Sequence, residues 1–197
     1  YIHIPDMSTV GLDEFTKLFY TQLDKKALII DDRMNGGGNV SPMIIERLQR
    51  EVYRMNMYRN GSEGLATIPE STHHGPKVCL VDKYSSSDGD LFPYGFQKLG
   101  IGPLIGTRTW GGIVGISGSK PYVDGQDVRT PFFTSYSTDG KWILENEGVT
   151  PDIYVDINPF EDYLGNDAQL KKAVEVLLEQ IKTYPQLPGV PKPRVMD

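Results

Sequence analysis

Residues 77–100, KVCLVDKYSSSDGDLFPYGFQKLG, pass from an apolar segment through three consecutive serines into an amphipathic pattern. The first part, residues 77–83, has the composition of a buried strand. From about Gly89 the apolar residues recur at helical spacing, and Gly100 is a typical stop signal for a helix. The stretch therefore predicts a strand, a turn and a helix in immediate succession, with the serines in the turn.

A second segment, residues 26–49, repeats this design. KALIID, residues 26–31, has the pattern of a buried strand, and DRMNGGGN, residues 32–39, that of a glycine-rich turn. Ser41 is a candidate cap for the helix that follows, and Pro42 suits its first turn. Two such units in succession predict an α/β core with parallel strands, whose carboxyl ends meet the amino ends of the helices along one edge. We expect a functional site at that edge.

The rest of the chain predicts shorter strands and one more helix. Strands are expected at 103–105, 113–116, 126–133 and 141–144, and the turn at 138–140 (Thr-Asp-Gly) predicts that the last two form a hairpin. Residues 167–183 have one apolar stripe and predict a final helix that packs on the core. We expect one domain over residues 1–183. The prolines of residues 184–197 predict an extended tail.

Composition excludes several classes of protein. The chain has 197 residues, of which 39% are hydrophobic and 23% charged, as in an ordinary globular domain. A net charge of −6 without a basic cluster argues against nucleic acid as a partner. No apolar run is long enough to span a membrane, so we expect a soluble protein, cytoplasmic or periplasmic. Cys79 lies in an apolar run and is expected to be buried, and the start at Tyr1 suggests a fragment of a larger protein.

The serines at the start of the predicted helix have two interpretations. A hydroxyl there lies at the positive end of the helix dipole, beside backbone N–H groups that lack partners. These are the requirements of an acyl-transfer nucleophile with a site for the oxyanion. Ser87 fits best, because Asp88 and Gly89 follow it into the helix. Serine is also a preferred N-cap residue, so the alternative is that Ser87 only caps the helix.

The glycine run Gly36-Gly37-Gly38 lacks the Lys and Ser/Thr that a phosphate-binding loop requires. Beside the serine turn, an N–H group of this run is a candidate second half of an oxyanion hole. The carboxylates near both turns come without a histidine or a recognised ligand spacing, so we expect no metal and no organic cofactor.

A catalytic base is harder to find in this sequence. The histidines are His3, at the extreme start, and His73 and His74, in a long loop. We expect the paired histidines to lie on the surface. Lysine is the other base that serves a serine nucleophile, but no lysine occurs between Lys98 and Lys120.

Four motifs occur in series: DDRMNGGGN (31–39), YSSSDGDLFPY (84–94), IGTRTWGG (105–112) and ENEGVTPD (145–152). In this order and spacing they resemble the C-terminal catalytic core of the tricorn peptidases, within the tail-specific, or C-terminal processing, serine peptidase family. The resemblance covers nearly the whole chain. It implies an α/β fold of the ClpP/crotonase-like kind, with stacked strand-strand-helix units, and serine endopeptidase activity on peptides.

The resemblance also implies roles for individual residues. Ser87 matches the nucleophile, and the N–H groups of Gly38 and Asp88 match the oxyanion hole. Glu145 matches the glutamate that completes the catalytic tetrad. For substrate binding the resemblance points to two further positions, Gly37 in the glycine run and Asn56, near which archaeal members carry an acidic residue that favours basic side chains.

The sequence departs from ordinary tail-specific proteases, in which a catalytic lysine follows a Thr-Phe-Gly turn. Here Thr109-Trp110-Gly111 is followed by Gly112, which favours the tricorn type with a catalytic histidine. In that type the histidine and a neighbouring serine belong to an earlier domain, upstream of a PDZ domain, and neither has a counterpart here. The resemblance thus implies half of a split site, completed by upstream domains in a homo-oligomer.

Two alternatives stay open at this point. One is a catalytically silent domain of the same fold that binds peptides or sister subunits. The other is a self-contained hydrolase that uses His73 or His74 as its base.

Overall fold

The computed structural model describes residues 1–58, 66–117 and 121–192. Over these residues none of the helices is long and apolar enough to cross a membrane. The helices and strands, in chain order, are β1 (Ile2–His3), α1 (Thr9–Tyr20), β2 (Leu28–Asp31), α2 (Ser41–Leu48), β3 (Arg54–Asn56), β4 (Ala66–Ile68), β5 (Lys77–Val81), α3 (Asp88–Lys98), β6 (Leu104–Gly106), β7 (Gly115–Ser117), β8 (Thr130–Phe133), β9 (Ile153–Tyr154), α4 (Pro159–Tyr163) and α5 (Ala168–Thr183).

The centre of the molecule is a parallel sheet of five strands in the order β1-β2-β5-β6-β9. Every residue of β2 and β5 is buried, as is typical of parallel strands covered on both faces. This architecture confirms the α/β class that the two strand-turn-helix units predict. The narrower ClpP/crotonase-like assignment stays a prediction.

Alternate side chains of the central strands enter two apolar clusters, one on each face of the sheet. Ile30 and Cys79, which pair in register, face the cluster that also contains residues of α1, α2 and α3. Ile29 and Val78 face the other cluster, to which α5 contributes its apolar stripe. The predictions of a buried Cys79 and of an amphipathic final helix are confirmed.

The start of α2 differs from the prediction that Ser41 caps it. Val40 occupies the cap position, without a side-chain hydrogen bond, and Ser41 is the first helical residue. The N–H and the hydroxyl of Ser41 both donate to the carboxylate of Asp88. The prediction is wrong because a carboxylate from the neighbouring helix, rather than the serine oxygen, meets the free N–H at this helix start.

The predicted hairpin between 126–133 and 141–144 is also wrong. β8 pairs antiparallel with β7, and residues 141–144 form no strand. They meet the preceding chain through an isolated β-bridge between Tyr136 and Trp142 and through hydrogen bonds between Ser137 and Lys141. Alternating apolar residues identify a strand but not its partner, since register depends on which face is buried.

Residues 184–192 of the proline-rich tail contain no helix or strand and lie against the body of the domain. A ring nitrogen of His74 forms a hydrogen bond with the carbonyl of Pro185 at 2.7 Å, and the ring packs edge-on against Tyr184. Residues 187–191 and 52–57 together line a cavity of about 310 Å³. The end of the predicted tail, residues 193–197, lies outside the described residues.

Candidate active site

The two predicted turns lie side by side at the carboxyl edge of the sheet. They follow β2 and β5, which are adjacent and parallel, so both chains leave the sheet at the same edge. The N–H of Ser86 donates to the carbonyl of Asn35 at 2.9 Å, and the hydroxyl of Ser85 donates to the carbonyl of Asp32 at 2.8 Å. These bonds fix the serine turn against the start of the glycine loop.

Ser87 occupies the N-cap position of α3 with an unusual backbone conformation. Its φ is 57° and its ψ is −119°, a region that residues other than glycine seldom adopt. The side chain is half-buried and forms no capping hydrogen bond. The interpretation that the Ser87 hydroxyl caps the helix therefore does not hold. A strained serine backbone at the edge of a sheet is an observation that motivates a functional hypothesis.

Gly37 lies directly against the serine turn. A Cβ built on Gly37 would lie 2.6 Å from the Cβ of Ser87, 2.8 Å from the carbonyl oxygen of Ser86 and 3.0 Å from the backbone nitrogen of Asp88. Its φ of 90° is a second reason for glycine at this position. The glycine loop and the serine turn thus touch where Ser87 leads into α3.

The backbone N–H groups of Gly38 and Asp88 are the candidates for an oxyanion hole. In the parallel bridge between Gly38 and Met7, the N–H of Met7 donates to the carbonyl of Gly37, and the N–H of Asn39 donates to the carbonyl of Met7. The N–H of Gly38 itself therefore points away from Met7. Asp88 is the first residue of α3, where N–H groups lack partners within the helix. Over the described residues neither N–H donates to a protein acceptor. Such groups are suited to stabilise an oxyanion.

Asp90 connects the start of α3 with a third turn. Its carboxylate is completely buried, and it accepts the N–H of Gly111 at 2.8 Å and that of Gly112 at 3.3 Å. The N–H of Trp110 donates to the carbonyl of Ser85 at 2.9 Å. The turn at 109–112 is therefore fixed to the serine turn from two sides.

Glu145 lies on a loop that packs against this third turn. Its Oε2 accepts the N–H of Ile113 at 2.7 Å and that of Val114 at 2.9 Å. The N–H of the next residue donates to the carbonyl of Gly111 at 2.6 Å. Within the described residues no hydrogen bond joins Glu145 to Ser87, but the loop of Glu145 and the start of α3 both bond to the turn at 109–112.

Asn56 lies apart from this group. It ends β3, and its side-chain oxygen accepts a hydrogen bond from the guanidinium of Arg54 at 2.8 Å. It lines the cavity that residues 187–191 share. Over the described residues, no hydrogen bond links Asn56 to the serine turn or to the glycine loop.

The paired histidines lie at the opposite edge of the sheet. They precede β5, whose five residues separate them from the serine turn by roughly 17 Å. His73 is buried, not on the surface as expected, and its Nε2 bonds the carbonyl of Lys25 at 2.9 Å. Burial, reinforced by the nearby Lys77 ammonium, lowers the pKa of His73 to about 4. This placement argues against His73 or His74 as the base for Ser87.

His3 ends β1 and does reach the carboxyl edge of the sheet. Its neighbours Ile2 and Ile4 enter the cluster shared with α2 and α3, so His3 points to the other face, which α5 covers. There it lines a polar cleft together with Asp167 and Gln169 of the α5 start. The glycine loop is on the opposite face.

Sequence reasoning missed the contacts of three residues that build this edge. Asn35 donates to the carbonyl of Ile4 at 3.0 Å and to the carboxylate of Asp32 at 2.9 Å, and it is completely buried. Ser41 and Asp90 form the buried contacts described above. In the sequence, Asp90 is recognisable only as an acidic residue in the first turn of α3. Such a residue is equally expected where it does no more than interact with the helix dipole. Over the described ranges, no three His, Cys, Asp or Glu side chains form a cluster fit for a metal ion.

Comparison with known proteins agrees with the motif series. Residues 1–155 match the family model described as Peptidase family S41. The tricorn protease of Thermoplasma acidophilum is 40% identical over 193 residues, which are 96% of this chain and 18% of that protein. A tricorn protease homolog of Saccharolobus solfataricus is 40% identical over 184 residues, which are 92% of this chain and 17% of that protein.

A solved structure shows the same likeness. The crystal structure of the tricorn protease matches with a TM-score of 0.87 and 40% identity, over 93% of this chain and 18% of that one. The chain thus spans about a fifth of the length of these relatives. The resemblance inferred from the four motifs is confirmed.

Proposed function

Because the chain belongs to peptidase family S41, we propose that it forms the nucleophile-bearing core of a tricorn-like serine endopeptidase. One observation carries the proposal: Ser87, with a strained backbone and no capping bond, stands beside the unpaired N–H of Asp88 and against the glycine loop that holds Gly38. A nucleophile next to N–H groups that can bind the oxyanion supplies two of the parts that acyl transfer needs, and a base is the third.

In the proposed reaction the oxygen of Ser87 attacks the carbonyl carbon of a peptide bond while a histidine accepts the hydroxyl proton. The carbonyl oxygen becomes an oxyanion, which the N–H groups of Gly38 and Asp88 stabilise. Collapse of this intermediate releases the amine, which takes the proton from the histidine, and leaves an ester on Ser87. Water, activated by the same histidine, hydrolyses the ester. Losing one oxyanion donor typically costs about 3 kcal/mol.

We propose that the histidine comes from an upstream domain of a longer parent protein. His73 and His74 lie at the amino edge of the sheet, and relatives of this chain extend far beyond the matched part. The proposed partners are peptide substrates, the histidine-bearing domain, a PDZ domain and sister copies in a homo-oligomer. In this proposal residues 1–183 are the peptidase core and residues 184–197 are its tail.

Glu145 is proposed to complete the tetrad. Its Oε2 already accepts two N–H groups, which fixes the carboxylate in one orientation. In this proposal, Oε1 accepts a donor from the histidine-bearing domain. The role of this carboxylate is then to orient the incoming catalytic groups, as the acid of a serine protease triad orients its histidine.

We propose that substrate contacts include Gly37 and Asn56. The contact between Gly37 and Ser87 supports the first, because a peptide bound at Ser87 has to pass over the glycine loop. The support for Asn56 is the resemblance, in which a residue after the helix that follows the glycine loop contacts the substrate side chain. An uncharged amide there removes the electrostatic reason for a preference for basic side chains.

The proposed function is tested by labelling the full-length parent protein with a serine-directed fluorophosphonate. Labelling of wild-type protein and of Ser86→Ala, together with its loss in Ser87→Ala, supports the peptidase. The Ser86 variant is the matched control, because it removes a hydroxyl from the same turn. A folded parent protein without labelling at Ser87 would instead support the silent peptide-binding or assembly domain.

A further inference from the structure

We propose that the buried pair of Ser41 and Asp88 is a positioning device for the oxyanion hole, an inference that rests on the proposed function above. Asp88 offers its own N–H to the hole, and Ser41 begins α2 three residues after Gly38. The N–H of Ser41 donates to Oδ2 of Asp88 at 3.0 Å, and the Ser41 hydroxyl donates to Oδ1. With 6% and 5% of their surfaces exposed, the two residues are shielded from competing water.

The two N–H groups of the hole belong to different loops, so only non-covalent contacts determine their separation. The bond from Ser86 to Asn35 fixes the loops ahead of Ser87, on the side where they leave the sheet. The Ser41–Asp88 pair fixes the two loops at their other end, where α2 and α3 begin. Gly38 and the N–H of Asp88 lie between these two contacts. A rigid pair of preorganised donors is what makes an oxyanion hole effective.

Interaction with the dipole of its own helix, α3, does not explain the direction of the Asp88 side chain, which meets the first N–H of α2 instead. A carboxylate that only complemented the dipole of α3 would have no need of a partner in another helix. The Asp88 carboxylate instead accepts two bonds from the first residue of α2. Both oxygens are occupied, so the side chain cannot rotate without breaking one of these buried bonds, which is costly. The pair therefore couples the orientation of residue 88 to the end of the glycine loop.

The test compares Ser41→Ala, Ser41→Thr and Ser137→Ala in the full-length parent protein. Ser137 is the matched control, since its hydroxyl also donates to a carboxylate, that of Asp139, in a turn outside both loops. For each variant, kcat and KM are measured with a peptide substrate, and the inhibition constant with a peptide boronate that forms a tetrahedral adduct on serine.

We expect Ser41→Ala to lower kcat by about tenfold to a hundredfold. This loss is no larger than the smallest losses of kcat seen when an oxyanion-hole donor itself is removed. KM should stay within about twofold, and boronate affinity should fall in parallel with kcat. Ser41→Thr retains the hydroxyl and should recover most of the loss. Ser137→Ala should behave as wild type. An effect of Ser41→Ala on KM alone would overturn the proposal. So would a kcat of Ser41→Thr that is no higher than that of Ser41→Ala.

Amide hydrogen exchange gives a second readout that does not depend on catalysis. We expect faster exchange over residues 36–40 in Ser41→Ala than in wild type or Ser137→Ala, because the hydrogen bond from the Ser41 hydroxyl to Asp88 is lost. Equal exchange in all three proteins would refute the positioning role even if Ser87 is labelled. If wild-type protein lacks chemistry at Ser87, the proposed function fails, while the exchange result still decides whether this pair fixes the loop.

Discussion

At the scale of single residues, the missing side chain of Gly37 matters to the site as much as the side chains that are present. Gly37 lies so close to the serine turn that no Cβ fits, whereas its neighbour Gly36 has open space around the same position. The two glycines look alike in the sequence. Only the one that touches Ser87 is required by packing.

We expect Gly37→Ala to slow labelling of Ser87 by at least about tenfold, because the new methyl group pushes the glycine loop away from the nucleophile. A positive φ at this position adds strain of about 1 to 3 kcal/mol to the folded state. The measurements are fluorophosphonate labelling and urea unfolding. Gly36→Ala is the control and should change neither, and equal effects of the two substitutions would contradict this account.

His73 gives a pH dependence to stability that is separate from catalysis. Its Nε2 bonds a carbonyl and therefore carries the proton, while the buried Nδ1 has no partner among the described residues. Burial, and then Lys77, hold the pKa at about 4, below the ordinary value of 6.5. The unfolded chain thus binds this proton first. Stability is fully present above pH 6.5 and is lost as the pH falls towards 4.

We expect the free energy of unfolding to fall by up to about 3 kcal/mol between pH 6.5 and pH 4 on account of His73. His73→Gln retains an N–H donor for the carbonyl of Lys25 and should reduce this part of the pH dependence. The measurement is urea unfolding at a series of pH values. His74→Gln serves as the control, and a wild-type slope in His73→Gln would rule out this source.

At the scale of elements, charged side chains at the ends of helices and strands determine how the layers are joined. Arg33 follows β2 and binds both oxygens of the buried Asp31 carboxylate, at 2.9 Å and 2.6 Å. The same guanidinium donates to Asp167, the N-cap of α5, at 2.8 Å. Arg33 thereby connects the carboxyl edge of the sheet to the helix that covers its other face.

We expect Arg33→Met to lower the free energy of unfolding by about 3 kcal/mol, because it leaves the Asp31 carboxylate buried without its cation. Lys172→Met removes a cation from an exposed pair with Glu175 and should change stability by less than about 1 kcal/mol. Chemical denaturation of both variants gives the comparison. Similar losses in the two would show that burial of the Asp31 pair is not the deciding factor.

At the scale of the whole molecule, the fold places His73 and His74 at the other end of the sheet from the nucleophile, and His3 on its other face. The sheet separates His73 and His74 from Ser87 by the length of β5, and α5 covers the face to which His3 points. Among the described residues, no histidine forms a hydrogen bond with Ser87. This arrangement supports the proposal that the base comes from outside the domain.

We expect the 197-residue chain alone to show no peptide turnover under conditions in which the full-length parent is active. A full-length variant with both His73→Gln and His74→Gln should retain turnover, because neither side chain reaches Ser87. Both are tested with one fluorogenic peptide substrate. Turnover by the isolated chain that disappears when both histidines are replaced would refute the split site.

The sequence alone determined the local pattern of this protein. Buried strands, turns rich in glycine and serine, and the stripe of α5 follow from composition and periodicity, which are properties of neighbouring residues. The same pattern selected Ser87 and the glycine run, and the order of four motifs indicated the family. These features need no information about which distant segments meet.

The tertiary structure decided everything that depends on distant contacts. The pairing of β7 with β8, the attachment of Ser41 to Asp88 and the burial of His73 involve residues far apart in the chain. Local spacing does not encode such partners, since a helix cap and a positioning carboxylate look alike in sequence. Whether Ser87 caps a helix or stands free beside two N–H groups is a matter of backbone angles, which only the folded chain fixes.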